Sequence, residues 1–411
     1  MTCPPQFPVC RFQHPHLPLP PPLMMTEPDS FAHYTYQQRW PGVILRIQRE
    51  QEWPEPVITA LNALGRELTD NAAVRSLHDA QAPDAEAWTT YLAPYLDLSW
   101  LDLPWFFAEI YFYRRILEAT QYFQPAAFTQ GQDPFQSQKQ AGLDHAMDAV
   151  RAICNVPTQP TLRERLAFLL YVSLWGNQAD LSLAPEAAAA SHEGIHADLR
   201  QGYILVDECG QLCDRLLTLA GERIDIVADN AGLELVSDLC LTDVLLAAGV
   251  VNQVYLHLKP SPVLVSDAMV ADAVHTIDTL ARDRDREVRL LAARLKHYRA
   301  MDVLQFAAHP VWSAPLVFWE MIEPLQAELG LTRLTLLKGD ANYRRLLGDC
   351  HWPPPTPFAD IAAYFPTPLA ALRTLKSEIV AGLPADSLDS LTEKDPQWMV
   401  NGQWGLIQMA G

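Results

Sequence analysis

Residues 223–239 read RIDIVADNAGLELVSDL. A short run rich in β-branched residues ends at Ala228, an acid–amide pair follows, and beyond Gly232 the apolar residues recur at helical spacing. The segment therefore spells strand, turn and helix. The same grammar returns downstream in GYILVD (202–207), QVYLHLK (253–259), VLQFAAH (303–309) and TRLTLLKGD (332–340). Helical stretches separate these runs, among them LELVSDLCLTDVLLAAG (233–249) and DREVRLLAARLKHYRAM (285–301). Alternating strands and helices predict an α/β fold: a mostly parallel central sheet sandwiched by helices in a Rossmann-like three-layer arrangement. In such sheets ligands bind beyond the carboxyl ends of the strands.

Upstream the period changes. VILRIQREQEWPEPVITALNALGREL (43–68) carries apolar residues every three or four positions, with Pro54 and Pro56 separating two helices. PWFFAEIYFYRRILEATQYF (104–123) and TLRERLAFLLYVSLWGN (161–177) continue the helical pattern. The expected division is a disordered Pro-rich leader at 1–28, an α-helical subdomain at 29–170, and an α/β domain at 171–411 that carries the chemistry. Consecutive prolines favour extended chain over a core. Met24 and Met25 close that leader, and translation is expected to start at Met1 or at one of these two.

The chain has 411 residues and a formal net charge of −19. Such a surface repels nucleic-acid phosphates and anionic lipid, so neither is an expected partner. No apolar run is long enough to span a bilayer, and no basic-then-apolar secretory signal opens the chain. Seven scattered cysteines fit reduced thiols in a cytoplasmic setting. The lone C-x3-C of Cys209 and Cys213 lacks the second pair a structural zinc needs. No obligate protein partner is expected.

Chemistry gathers where strands end. The first run ends in Asp229-Asn230-Ala231-Gly232, the LTLL run in Lys338-Gly339-Asp340-Ala341-Asn342, and the strand-like VLVS (263–266) in Asp267. Two carboxylates and an amide are hard oxygen donors suited to Mg²⁺ or Mn²⁺, and they leave coordination positions open. Gly232 and Gly339 stand where backbone N–H groups and a helix N-terminus can receive an anion. Each feature also has an ordinary reading: Asp-Asn-x-Gly caps many helices, Lys-Gly-Asp is a common turn, and Asp267 can serve as an N-cap. A pattern linking them is what separates the two readings.

RIDIVADNAGLELVSDL, HLKPSPVLVSDAM (257–269), LLKGDANYRRLLGD (336–349) and LRTLK (372–376) occur in that order, preceded by WFFAEIYFYRRI (105–116) and LWGNQADLSL (174–183). Together they resemble the damage-control phosphatase family, in its acidic residue methyltransferase-like branch. The resemblance runs from about Trp40 to Leu383. It implies a metal-dependent phosphatase acting on sugar phosphates, fructose phosphates among them, and related small metabolites. It implies Asp229, Asn230 and Asp267 as metal ligands. It implies Lys338, Gly339, Asp340, Ala341 and Asn342 as the substrate loop, with Arg373, Thr374 and Lys376 as the branch motif. Leu264 replaces an expected aromatic without touching the donors. Mn²⁺ is the first choice of metal, with Mg²⁺, Co²⁺ or Ni²⁺ as others.

On this reading Lys338 and Lys376 supply the cationic clamp for phosphate. Arg373 joins them as a guanidinium fork or else forms a surface ion pair. Asp340 orients water or a sugar hydroxyl, and Asn177 contacts substrate. Metal-activated water is the favoured nucleophile over Asp229 itself, because the Asp-x-Asp pair of haloacid-dehalogenase phosphatases is absent around Asp229. Three other functions compete. An S-adenosylmethionine-dependent carboxyl methyltransferase would need a Gly-rich loop after the first strand, where ILVDECGQL (204–212) offers only Gly210. A zinc hydrolase would use His192-Glu193-Gly194-Ile195-His196, which contains a helix-weakening glycine and lacks a downstream third ligand. A non-catalytic binding protein would have no use for the intact donor set.

Overall fold

The structure, a computed structural model, describes residues 17–156, 161–176, 201–219 and 221–411. A seven-stranded sheet forms its centre, in the order β1-β7-β6-β5-β2-β3-β4. The strands are β1 (Ile204–Asp207), β2 (Glu222–Val227), β3 (Val251–His257), β4 (Leu304–Ala307), β5 (Thr335–Lys338), β6 (Leu369–Thr374) and β7 (Gly405–Ala410). Pairing from β6 through β4 is parallel, while β7 runs antiparallel to β6 and β1 runs parallel to β7. The expected mostly parallel, helix-sandwiched sheet is therefore present.

Side chains alternate across that sheet with the two-residue period of strands. Val227, Leu337, Leu369 and Leu406 face one apolar core with Trp40, Trp100 and Phe112 from the N-terminal helices. Ile226, Leu336, Leu372 and Ile407 face a second core. The helices Gln136–Asn155, Leu162–Trp175 and Leu233–Ala247 supply its other side. The helical half of the chain thus serves both faces. Its helices at Trp40–Glu50, Glu55–Thr69 and Trp105–Ala119 form where the apolar spacing predicts them, with Pro54 preceding the second as its N-cap residue.

Two expectations need correction. The leader was expected to be disordered to residue 28, yet within residues 17–28 Leu23 and Met25 are fully buried. Leu23 N donates to Asp349 O (2.8 Å), Trp105 N donates to Leu23 O (2.8 Å), and Met25 N donates to Leu103 O (3.3 Å). Alternating apolar side chains with a paired backbone hold that stretch down despite its prolines. VLVS is also no strand: Leu264 and Val265 take φ of 51° and 67° in a turn. That left-handed pair reverses the chain and sends Asp267 back alongside Asn230.

The sheet order places the crevice. From β2 the helix Leu233–Ala247 leads to β3, on the side of the second core. From β5 the helix Gly339–Leu347 leads toward β6, on the side of the first. Adjacent parallel strands whose connections leave in opposite directions open a gap at their carboxyl ends, and here that gap lies between β2 and β5.

Candidate active site

Asp229 and Asn230 lie one residue beyond β2, and the Leu264–Val265 turn brings Asp267 against them. Ala268 N donates to Asp229 O (2.8 Å) and Ala231 N to Ser266 O (2.7 Å), so Asn230 and Asp267 face each other in an antiparallel bridge. Residues 37 positions apart along the chain meet through backbone pairing. All three side chains are buried.

Gly339, the residue after β5, closes the opposite wall. It holds φ +81°, and a Cβ there would stand 1.9 Å from Asp229 Oδ2. The absent side chain is the space the carboxylate occupies, so the β5 end and the β2 end touch through this glycine. Asp340 follows in the first turn of the helix. Its Oδ1 accepts from Arg373 Nε (2.7 Å), Lys376 N (3.1 Å) and Ser377 Oγ (3.0 Å), which fastens the segment after β6 over the helix start.

The electrostatics are those of an acidic pocket short of positive charge. Burial pushes the Asp229 carboxyl well above the usual range, and the charges of Asp267 and Glu234 push it further. Burial also raises Asp267, against the pull of Lys259, and lowers Lys259 in turn. Lys259 Nζ lies 3.3 Å from Asp267 Oδ2 as an ion pair. That oxygen nevertheless accepts no directed hydrogen bond. Asp340 is held below the ordinary carboxylate range, because Arg373 and Arg344 outweigh the opposing cost of its burial.

The donor set suits a divalent cation. Asp229, Asn230 and Asp267 present hard oxygens, one of them buried without a donor, around a local excess of negative charge. No three His, Cys, Asp or Glu side chains gather at metal-ligand spacing among the described residues. The third donor of this set is the amide of Asn230.

The expected substrate residues divide. Lys338 is fully buried, and its ammonium is taken up by Glu234 Oε1 (2.9 Å), Asp238 Oδ1 (3.2 Å) and the Ser173 carbonyl (3.1 Å). Those two carboxylates raise its pKa despite the burial. The lysine expected in the phosphate clamp thus has its ammonium held by two carboxylates and a carbonyl. Arg373 is also fully buried: besides Asp340 it binds Ser377 and the Ile379 carbonyl, and it stacks 4.2 Å from the Tyr343 ring centroid. It is neither a surface ion pair nor a free fork. Asn342 donates to the carbonyls of Lys338 (2.8 Å) and Ala228 (3.3 Å), and so ties the helix to the end of β2. Ala341 is buried beside it.

Lys376 differs from these. It is half-buried, its ammonium makes no hydrogen bond or ion pair among the described residues, and its charge reaches Asp229. Asn177 and the His192–His196 motif lie outside the described residues. Cys209 and Cys213 sit one turn apart and buried in the helix Cys209–Leu217. Glu234, Lys259 and Ser266 belong to the site but were not singled out from the sequence. The available signals were an acid in the first turn of an otherwise apolar helix, and a lysine two residues beyond β3.

Residues 35–391 match the family model of the damage-control phosphatase ARMT1-like domain. The chain belongs to the ARMT1-like damage-control phosphatase family. Its match with the damage-control phosphatase ARMT1 of Danio rerio is 31% identical and covers 93% of this chain and 95% of that protein. The ARMT1 of Rattus norvegicus is 30% identical, over 95% and 98%. A solved structure of a DUF89 family protein from Pyrococcus horikoshii gives a TM-score of 0.47 at 13% identity, over 87% of this chain and 93% of that one. This phosphatase is a hydrolase of phosphate esters, as the motif order predicts, and no helix among its described residues is long and apolar enough to cross a membrane.

Proposed function

We propose that this phosphatase hydrolyses small phosphorylated metabolites, sugar phosphates such as fructose phosphates among them, with a divalent cation held by Asp229, Asn230 and Asp267. Mn²⁺ is the first choice of ion, and the cytoplasm is the expected setting. The observation that carries this reading is the backbone pairing of residues 229–231 with 266–268, which gathers the three oxygen donors at the gap between β2 and β5.

When bound there, a divalent cation would neutralise phosphoryl oxygens and lower the pKa of an attacking water. The chain supplies the rest, which is chiefly positioning and charge. Lys376 brings a cation with no partner among the described residues to a dianionic substrate that the −19 surface would otherwise repel. The first backbone N–H groups of the helix Gly339–Leu347 offer the phosphate a favourable dipole. Asp340 stays ionised and partly exposed, fit to accept a hydrogen bond from a substrate hydroxyl or a water. Asp229 Oδ2 already accepts from Asn230 Nδ2 (2.5 Å) and abuts Gly339, which favours water over Asp229 as the nucleophile.

The commonest class of methyltransferase is not favoured. Gly210 lies inside the helix Cys209–Leu217 that follows β1, so no Gly-rich nucleotide loop opens there.

The test is phosphate release from a panel of sugar phosphates with Mn²⁺, Mg²⁺, Co²⁺ or Ni²⁺, before and after chelation. Activity that survives chelation, or survives in both Asp229→Ala and Asp267→Ala, would refute the metal assignment. Methyl transfer to protein carboxylates without phosphate release would refute the phosphatase assignment.

A further inference from the structure

The amide of Asn230 is gripped at both ends. Its Nδ2 donates to Asp229 Oδ2 (2.5 Å) and Glu234 Oε2 (3.0 Å), while Ser266 Oγ donates to its Oδ1 (2.5 Å). Both acids accept from this amide, so its NH₂ faces Asp229 Oδ2 and Glu234 Oε2 while its carbonyl oxygen lies on the Ser266 side. Glu234 is itself fixed. It lies in the first turn of the helix Leu233–Ala247 and is buried, and its other oxygen, Oε1, takes Lys338 Nζ at 2.9 Å. Lys338 is anchored in turn by the Ser173 carbonyl and Asp238, and Ser173 Oγ donates to Asp238 Oδ1 at 2.6 Å. A chain of hydrogen bonds and ion pairs therefore runs from the helix Leu162–Trp175 through Lys338 and Glu234 to the amide.

We propose that Glu234, seated by Lys338, is a positioning residue that keeps the Asn230 carbonyl oxygen turned to the cation. This rests on the metal site argued above and assigns the buried lysine a task other than binding phosphate. Glu234→Gln isolates that task, because shape is kept while one acceptor becomes a donor. Lys338 would claim the remaining amide oxygen, and the new NH₂ would face Asn230. The asparagine would then have to turn its own NH₂ toward the cation, losing a donor oxygen.

The experiment is Mn²⁺ binding to the full chain, followed by the resonance signal of free Mn²⁺, with near-ultraviolet circular dichroism to check the fold. Wild type should bind and Asp267→Ala should not. E234Q should bind about 10- to 100-fold more weakly, as for other partners that orient metal ligands. Asn230→Asp removes the distinction between the two ends of the side chain. On that background, adding E234Q should change affinity by no more than about twofold, the additive limit for a change without further coupling. If E234Q alone does not fold, a loss of more than about twofold between N230D and the double variant still overturns the positioning role. Wild-type affinity in E234Q, or an equal loss on both backgrounds, overturns the positioning role while leaving the metal site standing. Equal, negligible uptake by wild type and Asp267→Ala overturns the metal site and this inference together.

Discussion

Gly339 carries no side chain because the Asp229 carboxylate fills the place of one, with a Cβ due at 1.9 Å from Oδ2. Its φ of +81° independently disfavours any L side chain. Gly339→Ala should therefore displace Asp229 and lower kcat/KM about 100-fold, the scale of a misplacement near 1 Å. A variant within a few-fold of wild type would show that the carboxylate does not need this position. The buried and half-buried cations of the site should part company in the same manner. Arg373→Ala takes one of three donors from Asp340 and empties a wholly buried position, and should cost about 3–5 kcal/mol in urea unfolding. Lys376→Ala, which breaks no bond among the described residues, should alter stability by no more than about 0.5 kcal/mol and act instead by raising KM for the phosphate ester. The reverse outcome, with Arg373 controlling KM and Lys376 controlling stability, would exchange their roles.

At the scale of elements, two devices hold the crevice open. The Leu264–Val265 turn returns Asp267 to Asn230, and a β-branched residue at positive φ is tolerated there because the surrounding pairing fixes it. Asn342 joins the helix Gly339–Leu347 to the end of β2 through the Lys338 and Ala228 carbonyls. Asn342→Leu removes both side-chain hydrogen bonds to those carbonyls, so stability should fall by about 2 kcal/mol. Chemical denaturation checks the value, and an unchanged midpoint would mean the two elements are held together by packing alone. Reading strands from the sequence worked for β1 to β5, where β-branched runs sit between helices. It missed β6 and β7. LAALRT is rich in alanine and leucine, so nothing in its composition separates strand from helix. The β7 run, GLIQMA, lies at the far end of the chain yet inserts between β1 and β6.

Across the whole molecule, the helices of the first half and the sheet of the second share both apolar cores. Residues 171–411 expressed alone would uncover part of both apolar cores and should aggregate or remain unfolded, whereas a soluble, cooperatively folded fragment would show that the sheet and its own helices stand by themselves. Acid sensitivity is built into the sheet as well. Asp225 on β2 accepts from Arg223 (2.6 Å twice) and pairs with His257 Nε2 (2.8 Å). Burial would raise its pKa, but these partners outweigh it and hold the carboxyl below its usual value. A lowered carboxyl pKa stabilises the fold above the unfolded value, near ~4, and that stability is lost as pH falls through the folded value. Asp225→Asn should cost about 3 kcal/mol near neutral pH, and its difference from wild type should shrink on acidification below pH ~4. A difference that stays constant from neutral to acid pH would remove Asp225 from the acid limb. By itself the sequence determined the layer architecture, the family, and the loops that carry the site, because hydrophobic period and strand-end motifs are local properties. Only the tertiary structure decided that Lys338, Arg373 and Asn342 turn inward while Lys376 has no partner among the described residues. It also brought Glu234, Lys259 and Ser266 into the site. Which partner a charged side chain meets depends on segments far along the chain, and no local pattern records that choice.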